Sequence, residues 1–153
     1  SGLVFSLPDN AEEGRDNGFW QAWEIFETLR IDADLVTLSA CETALGKDRG
    51  GEGLIGVTRA FQYEGARSVL SSLWSVSDES TAELMTAFYG YLKQGRPKAE
   101  ALRLAQLELI RSGRARGARR PSPHPSHGLS GPDRGNYSRP FHWAPLILNG
   151  DCK

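Results

Sequence analysis

The sequence predicts an α/β protein: a three-layer α/β/α sandwich around a largely parallel sheet. Three observations point there. Residues 34–40 (DLVTLSA) and 68–74 (SVLSSLW) are apolar or small without polar alternation, the pattern of strands buried on both faces. The stretches before, between and after them carry apolar residues at helical spacing, with Ala22, Ile25, Phe26 and Leu29 at i, i+3, i+4 and i+7. Strands and helices alternate along the chain instead of segregating.

The elements follow in order. Leu3-Val4-Phe5-Ser6 reads as a short strand, and the turn-rich 8–18 stretch as a loop. A helix is expected from Phe19 to Arg30, with Ala22, Ile25, Phe26 and Leu29 on one face. The 34–40 strand ends at Cys41 and is expected to be central in the sheet. Glycines 46, 50, 51 and 53 precede a helix from Leu54 to Tyr63 that Gly65 stops. After the 67–74 strand, Ser80-Thr81-Ala82-Glu83 matches a capping box opening the next helix. Pro97 suits the first turn of a further helix carrying Ala101, Leu102, Ala105 and Leu109. Residues 113–139 are Arg, Gly, Pro, Ser and His with little apolar content, which predicts a disordered insertion or long loop. A last strand is expected over 143–148.

The 153 residues make one domain or part of a larger one. A hydrophobic fraction of 39% excludes disorder of the whole chain. No apolar run approaches the roughly 20 residues of a membrane span, and the first residues lack the pattern of a signal peptide. The net charge of −1 argues against a general polyanion binder. That balance is uneven: residues 113–139 carry six Arg against one Asp. A solvated linker explains this run better than nucleic-acid binding. The two cysteines, Cys41 and Cys152, have neither disulfide-scaffold density nor metal-site spacing, and a reducing, cytoplasmic setting is expected. The spacing of the glycines matches no phosphate-binding loop. Neither a metal nor a cofactor is expected.

Cys41 is the sharpest candidate for chemistry. It lies where a buried strand leaves the sheet, and ligands of open α/β sheets bind beyond such carboxyl ends. A cysteine nucleophile needs a partner, usually His, that makes or holds the thiolate. On residues alone, a buried thiol packing as a small hydrophobe is the competing reading.

The chain resembles the C-terminal half of a CHAT domain, a caspase-like cysteine peptidase family often attached to tetratricopeptide repeats. The resemblance is carried by Leu38-Ser39-Ala40-Cys41-Glu42-Thr43, Gly51-Glu52-Gly53-Leu54, Arg59-Ala60-Phe61 and Gly65-Ala66-Arg67-Ser68-Val69. Leu73-Trp74 with Val76 and Asp78, and Trp143-Ala144-Pro145 through Gly150-Asp151, complete it. It covers most of the chain outside 113–139. The resemblance implies a caspase-like sandwich, incomplete at its N-terminal side, with Cys41 as catalytic nucleophile. The family's dyad His, in a His-Gly setting, would precede Ser1, and no His occurs before His124. His124 and His127 fall in the 113–139 stretch, where a mobile loop could not hold a base. His142 is the one substitute base to consider. The 153-residue chain alone is therefore expected to be inactive.

Asp78 follows the 67–74 strand. It either reads a basic side chain of the substrate, as the resemblance to separase-like pockets implies, or caps the helix behind it. Glu42 and Thr43 either shape the oxyanion site or cap the loop, and the Cys41 backbone N–H is the better oxyanion donor. The functional expectation is a cysteine endopeptidase acting on a protein or peptide, with an adjoining repeat domain such as tetratricopeptide repeats. The alternative is a non-catalytic interaction module on the same fold. Membrane and nucleic-acid partners are not expected.

Overall fold

The computed structural model describes residues 2–4, 18–38, 52–117 and 137–153. They fall into two units, 1–75 with 146–152, and 76–145 with 153.

In the first unit, β1 (Gly2–Val4) pairs antiparallel with β2 (Phe19–Gln21), Leu3 opposite Trp20. The helix expected from Phe19 therefore starts three residues later, as α1 (Ala22–Thr28). Phe19 and Trp20 are aromatics that suit a pleated strand, and pairing with β1 overrides the helical spacing. The Gln21 N–H donates to Glu24 Oε2 at 2.7 Å and closes the first turn.

The chain then forms β3 (Val36–Leu38), α2 (Glu52–Tyr63) and β4 (Ser68–Ser72). β3 and β4 pair in parallel, with Val36, Thr37 and Leu38 opposite Val69, Leu70 and Ser71. This is a strand–helix–strand crossover. Gly65 ends α2 at φ +113°, and a Cβ there would collide with the Ile31 carbonyl. Ile31 N–H donates to the Glu64 carbonyl at 2.9 Å, and Arg67 N–H to that of Ala33 at 2.9 Å.

β5 (Leu146–Gly150) pairs antiparallel with β4. The sheet is therefore mixed, in the order β3-β4-β5, where a largely parallel one was expected. Among the described strands the central one is β4, not β3, and Val36 is only half-buried. Ile25, Leu38, Val57, Ala60, Phe61, Ala66 and Val69 form the core of this unit, and the Trp20 ring meets Phe61 edge-on at 6.3 Å.

The second unit is helical: α3 (Asp78–Lys93), α4 (Lys98–Gly117) and the single turn α5 (Pro140–Trp143). α3 begins two residues before the expected capping box. Ser77 is its N-cap, with Oγ accepting from Ser80 N–H at 3.4 Å. Ser80 is fully buried, and its hydroxyl turns back to the Ser77 carbonyl at 3.0 Å, so it cannot act as the cap. Leu84, Phe88, Ala101, Leu102, Ala105 and Leu109 fill the interior of this unit.

The 113–139 stretch begins within α4 and ends beside a buried Tyr137; residues 118–136 lie outside the described residues. Gly113 packs against the Tyr137 and Ser138 backbone, where a Cβ would not fit. The last strand starts at Leu146 rather than 143, because Pro140 initiates the α5 turn instead.

Candidate functional site

A parallel strand–helix–strand unit sends both strands out of the sheet at the same end, and connecting chain there is free to carry function. β3 delivers the chain to that end at Leu38, three residues before Cys41. Cys41 lies outside the described residues, as do Glu42, Thr43 and glycines 46, 50 and 51. Around that end the described chain supplies Leu38, Ser71 and Ser72, then Leu73 and Trp74. Ser72 Oγ donates to the Trp74 carbonyl at 2.6 Å, folding the exit of β4 into a bend. Leu73 and Trp74 are exposed.

Two hydroxyls beneath that end have no hydrogen-bond partner among the described residues. Ser71 Oγ, on β4 across from Leu38, and Thr58 Oγ1, on the inner face of α2, are both buried and unpaired. The sequence reading passed over both. Their signal was a polar residue inside an apolar run, at Thr58 in LIGVTRAF and at Ser71 in SVLSSLW.

A buried carboxylate belongs to the scaffold instead. The Glu64 side chain is 2% exposed, and its Oε2 accepts from Arg30 Nη1, while Oε1 has no partner. It ties the end of α1 to the end of α2.

Asp78 is the exposed first residue of α3. It does not cap the helix, since Ser77 does. A carboxylate in the first turn complements the helix dipole. His124 and His127 lie outside the described residues. His142 sits in α5, with Tyr137 and Phe141 rings at 5.1 and 5.5 Å. Its Nδ1 is buried without a partner. Asp78 and His142 both belong to the helical unit, and Cys41 lies outside the described residues.

An open groove of about 390 Å³ runs between α3 and α4, lined by Ala82, Glu83, Thr86, Ala105, Glu108 and Leu109 among others. It contains no thiol or imidazole. On the same pair of helices the Tyr91 hydroxyl donates to Glu108 Oε2 at 3.0 Å. That bond holds the Tyr91 pKa above its usual 10. Among the described residues no three His, Cys, Asp or Glu gather as a metal site, and no helix is long and apolar enough to cross a membrane.

Comparison with known proteins places this arrangement. Residues 1–151 match the CHAT domain family. Tetratricopeptide repeat protein 28 of Mus musculus is 36% identical over 122 residues, and that of Homo sapiens 29% over 122 residues. Each alignment covers 80% of this chain but 4% of the relative, so the chain spans a small fraction of those proteins' length. No solved structure matches the chain. With nearly the whole chain matched, and with a mixed sheet flanked in sequence by helices, the chain belongs to the CHAT domain family, whose fold is caspase-like.

Proposed function

We propose that this chain is the nucleophile-bearing part of a cysteine endopeptidase. One observation carries the reading: the CHAT match includes Ser39-Ala40-Cys41, directly beyond β3 of a parallel strand–helix–strand unit. In this reading the Cys41 thiolate attacks the peptide carbonyl carbon, forming a thioester and expelling the amine. A His supplied by sequence preceding residue 1 takes the thiol proton, returns it to the leaving amine, and then activates the water that hydrolyses the thioester. The Cys41 N–H faces the developing oxyanion. Asp78 reads a basic side chain of the substrate. No cofactor takes part. A reduced thiol fits a cytoplasmic setting, and an adjoining tetratricopeptide domain, as in the named relatives, would present or gate the substrate.

The test is cleavage of a peptide library by a polypeptide in which the preceding half-domain is joined to this chain. We expect Cys41-dependent turnover there, abolished by Cys41→Ala, and close to none from the 153 residues alone. A free thiol with a pKa of about 8.5 is only a few per cent ionised at pH 7 and has no acid for the leaving group. Turnover by the short chain would sink the assignment of the base and turn attention to His142. Asp78→Asn should lower the preference for basic residues before the scissile bond.

A non-catalytic interaction module is the second reading. It is favoured by exposed apolar side chains in the first unit: Trp23 at 53%, Ile55 at 51% and Tyr63 at 77%. A joined polypeptide that cleaves nothing, yet loses a binding partner on Tyr63→Ser, would decide for it.

A further inference from the structure

The groove between α3 and α4 has a chemistry of its own, independent of any role of Cys41. It lies within one unit of the fold, and each helix lends it one stripe: positions 82, 83, 86 and 87 of α3, and 105, 108, 109 and 112 of α4. Ala82, Ala87, Ala105 and Leu109 make its surface mainly apolar. The two hydroxyls in the lining are bonded within their own helices. Thr86 Oγ1 donates to the Ala82 carbonyl at 2.7 Å, and Ser112 Oγ to that of Leu109 at 3.1 Å. That leaves one carboxylate from each helix, Glu83 on α3 and Glu108 on α4. Tyr91 donates to Glu108 as a neutral hydroxyl, so the bond does not cancel the carboxylate's charge. Among the described residues the lining holds no lysine or arginine, and Arg96 and Arg111, which stand near Tyr91, are outside it.

The shape of the groove narrows what fits it. A small-ligand pocket buries most of its ligand, which an open groove of about 390 Å³ cannot do. From Ala105 to Ser112 it runs about 10 Å, two turns of a helix at about 1.5 Å per residue. Its alanines are short enough for a third helix to lay a ridge between α3 and α4 at close range. The same face of α3 stays low beyond the lining. Ala82, Thr86 and Gly90 stand at i, i+4 and i+8, and all three are exposed. A Cβ at Gly90 would meet nothing within 4 Å. Nothing in the described structure therefore requires a glycine there, although glycine inside a helix weakens it relative to Ala. A neighbouring backbone passing close by would require one. Charge complementarity completes the description: the occupant offers small or aliphatic side chains to the groove and a cation to the carboxylate on either side.

We propose that the groove between α3 and α4 docks an amphipathic helix of a partner protein, with lysine or arginine on both flanks of a stripe of alanine and leucine. The test uses the 153-residue chain and a fluorescein-labelled peptide. The peptide has about 18 residues, five helical turns, built from Lys, Ala and Leu with the apolar residues on one face. Fluorescence anisotropy should show saturable binding that weakens as salt is raised from about 50 to 500 mM. Glu83→Gln and Glu108→Gln should each weaken it about fivefold, the worth of one partly exposed ion pair. Gly90→Gln should weaken it at least as much by standing in the path of the helix. Its melting temperature should hold or rise, because Gln is the better helix former. That variant separates lost docking from lost folding.

Absence of saturable binding would overturn the proposal, as would variants that all bind like the parent. So would equal binding of a scrambled peptide of the same composition, which would reduce the contact to charge alone. Spermine binding as tightly as the peptide would reassign the groove to a small polycation. Self-association of the chain that Glu108→Gln abolishes would reassign it to a second copy. Either result overturns the partner helix.

Discussion

The two units keep their unpaired polar atoms in different places. In the strand–helix–strand unit they lie deep: Thr58 and Glu64 are 5% exposed and Ser71 is 0%. In the helical unit they belong to half-buried side chains, Thr81 and His142. In both units the unpaired atoms themselves are buried; the difference is that in the strand–helix–strand unit the whole residue is buried as well. The helical unit closes its own ends by local bonds, such as Ser77 with Ser80 and the Trp143 indole N–H with the Ser138 carbonyl at 3.2 Å. The unit with parallel strands leaves one buried side-chain oxygen each of Thr58, Glu64 and Ser71 without a partner among the described residues. The helical unit serves as the scaffold in this contrast, and the strand–helix–strand unit, whose β3 leads on in sequence to Cys41, as the working end.

The largest test of this contrast removes one anchor from each unit. Phe88 and Ile25 are both fully buried. Phe88→Ala should cost about 3–5 kcal/mol, and Ile25→Ala about 2–5 kcal/mol, measured by urea denaturation. Only the Ile25 change should also alter the rate at which iodoacetamide alkylates Cys41, read in a Cys152→Ser background, because Ile25 packs in the core cluster that holds Leu38 and Val69. An equal effect of Phe88→Ala on that rate would erase the distinction between scaffold and working end.

Gly65→Ala tests the turn that aims β4. With φ at +113° and the Ile31 carbonyl in the way of a Cβ, the substitution should cost about 1–3 kcal/mol from the backbone alone. A neutral result would mean that the turn relaxes without harm to the parallel pair. Ser77→Ala comes next, at about 1 kcal/mol, and Ser77→Asp should restore most of it, since Asp caps as well as Ser. If Ser77→Ala were silent, the cap would have to be reassigned.

Those last two sites show what sequence could and could not reveal. Gly65 was legible because a glycine after an apolar helical face is a common stop with one physical cause. The capping box at Ser80 was misleading because two overlapping patterns compete: Ser77 and Ser80 can each cap, and the burial of Ser80, with its hydroxyl turned back to the Ser77 carbonyl, decides. β2 was missed because Phe19-Trp20-Gln21 fits a helical face, and only its pairing with β1, some 17 residues earlier, makes it a strand. The antiparallel direction of β5 was equally hidden, since an apolar run carries no sign of direction. Cys41 stood out by position and family resemblance. Thr58 and Ser71 did not, because a lone hydroxyl in an apolar run acquires meaning only when its neighbours are known.

The smallest expected effect concerns Tyr91 in the helical unit. Its hydroxyl donates to Glu108, and the bond to that carboxylate raises the Tyr91 pKa above 10 in the folded state. The protonated form is therefore the one that folding favours. Its contribution should be fully present below the unfolded value of about 10 and be lost as pH rises through the higher folded value. The pair is exposed, so the effect is small and screened by salt. Other tyrosines and the lysines titrate in the same range, so the measurement is a difference: melting temperatures of the parent and Tyr91→Phe from pH 8 to 11.5. A small gap at pH 8 should close toward the top of that range. A gap that stays constant would mean that Tyr91 contributes by packing alone. A gap that widens would mean that the ionised form is the better partner, reversing the direction argued from Glu108.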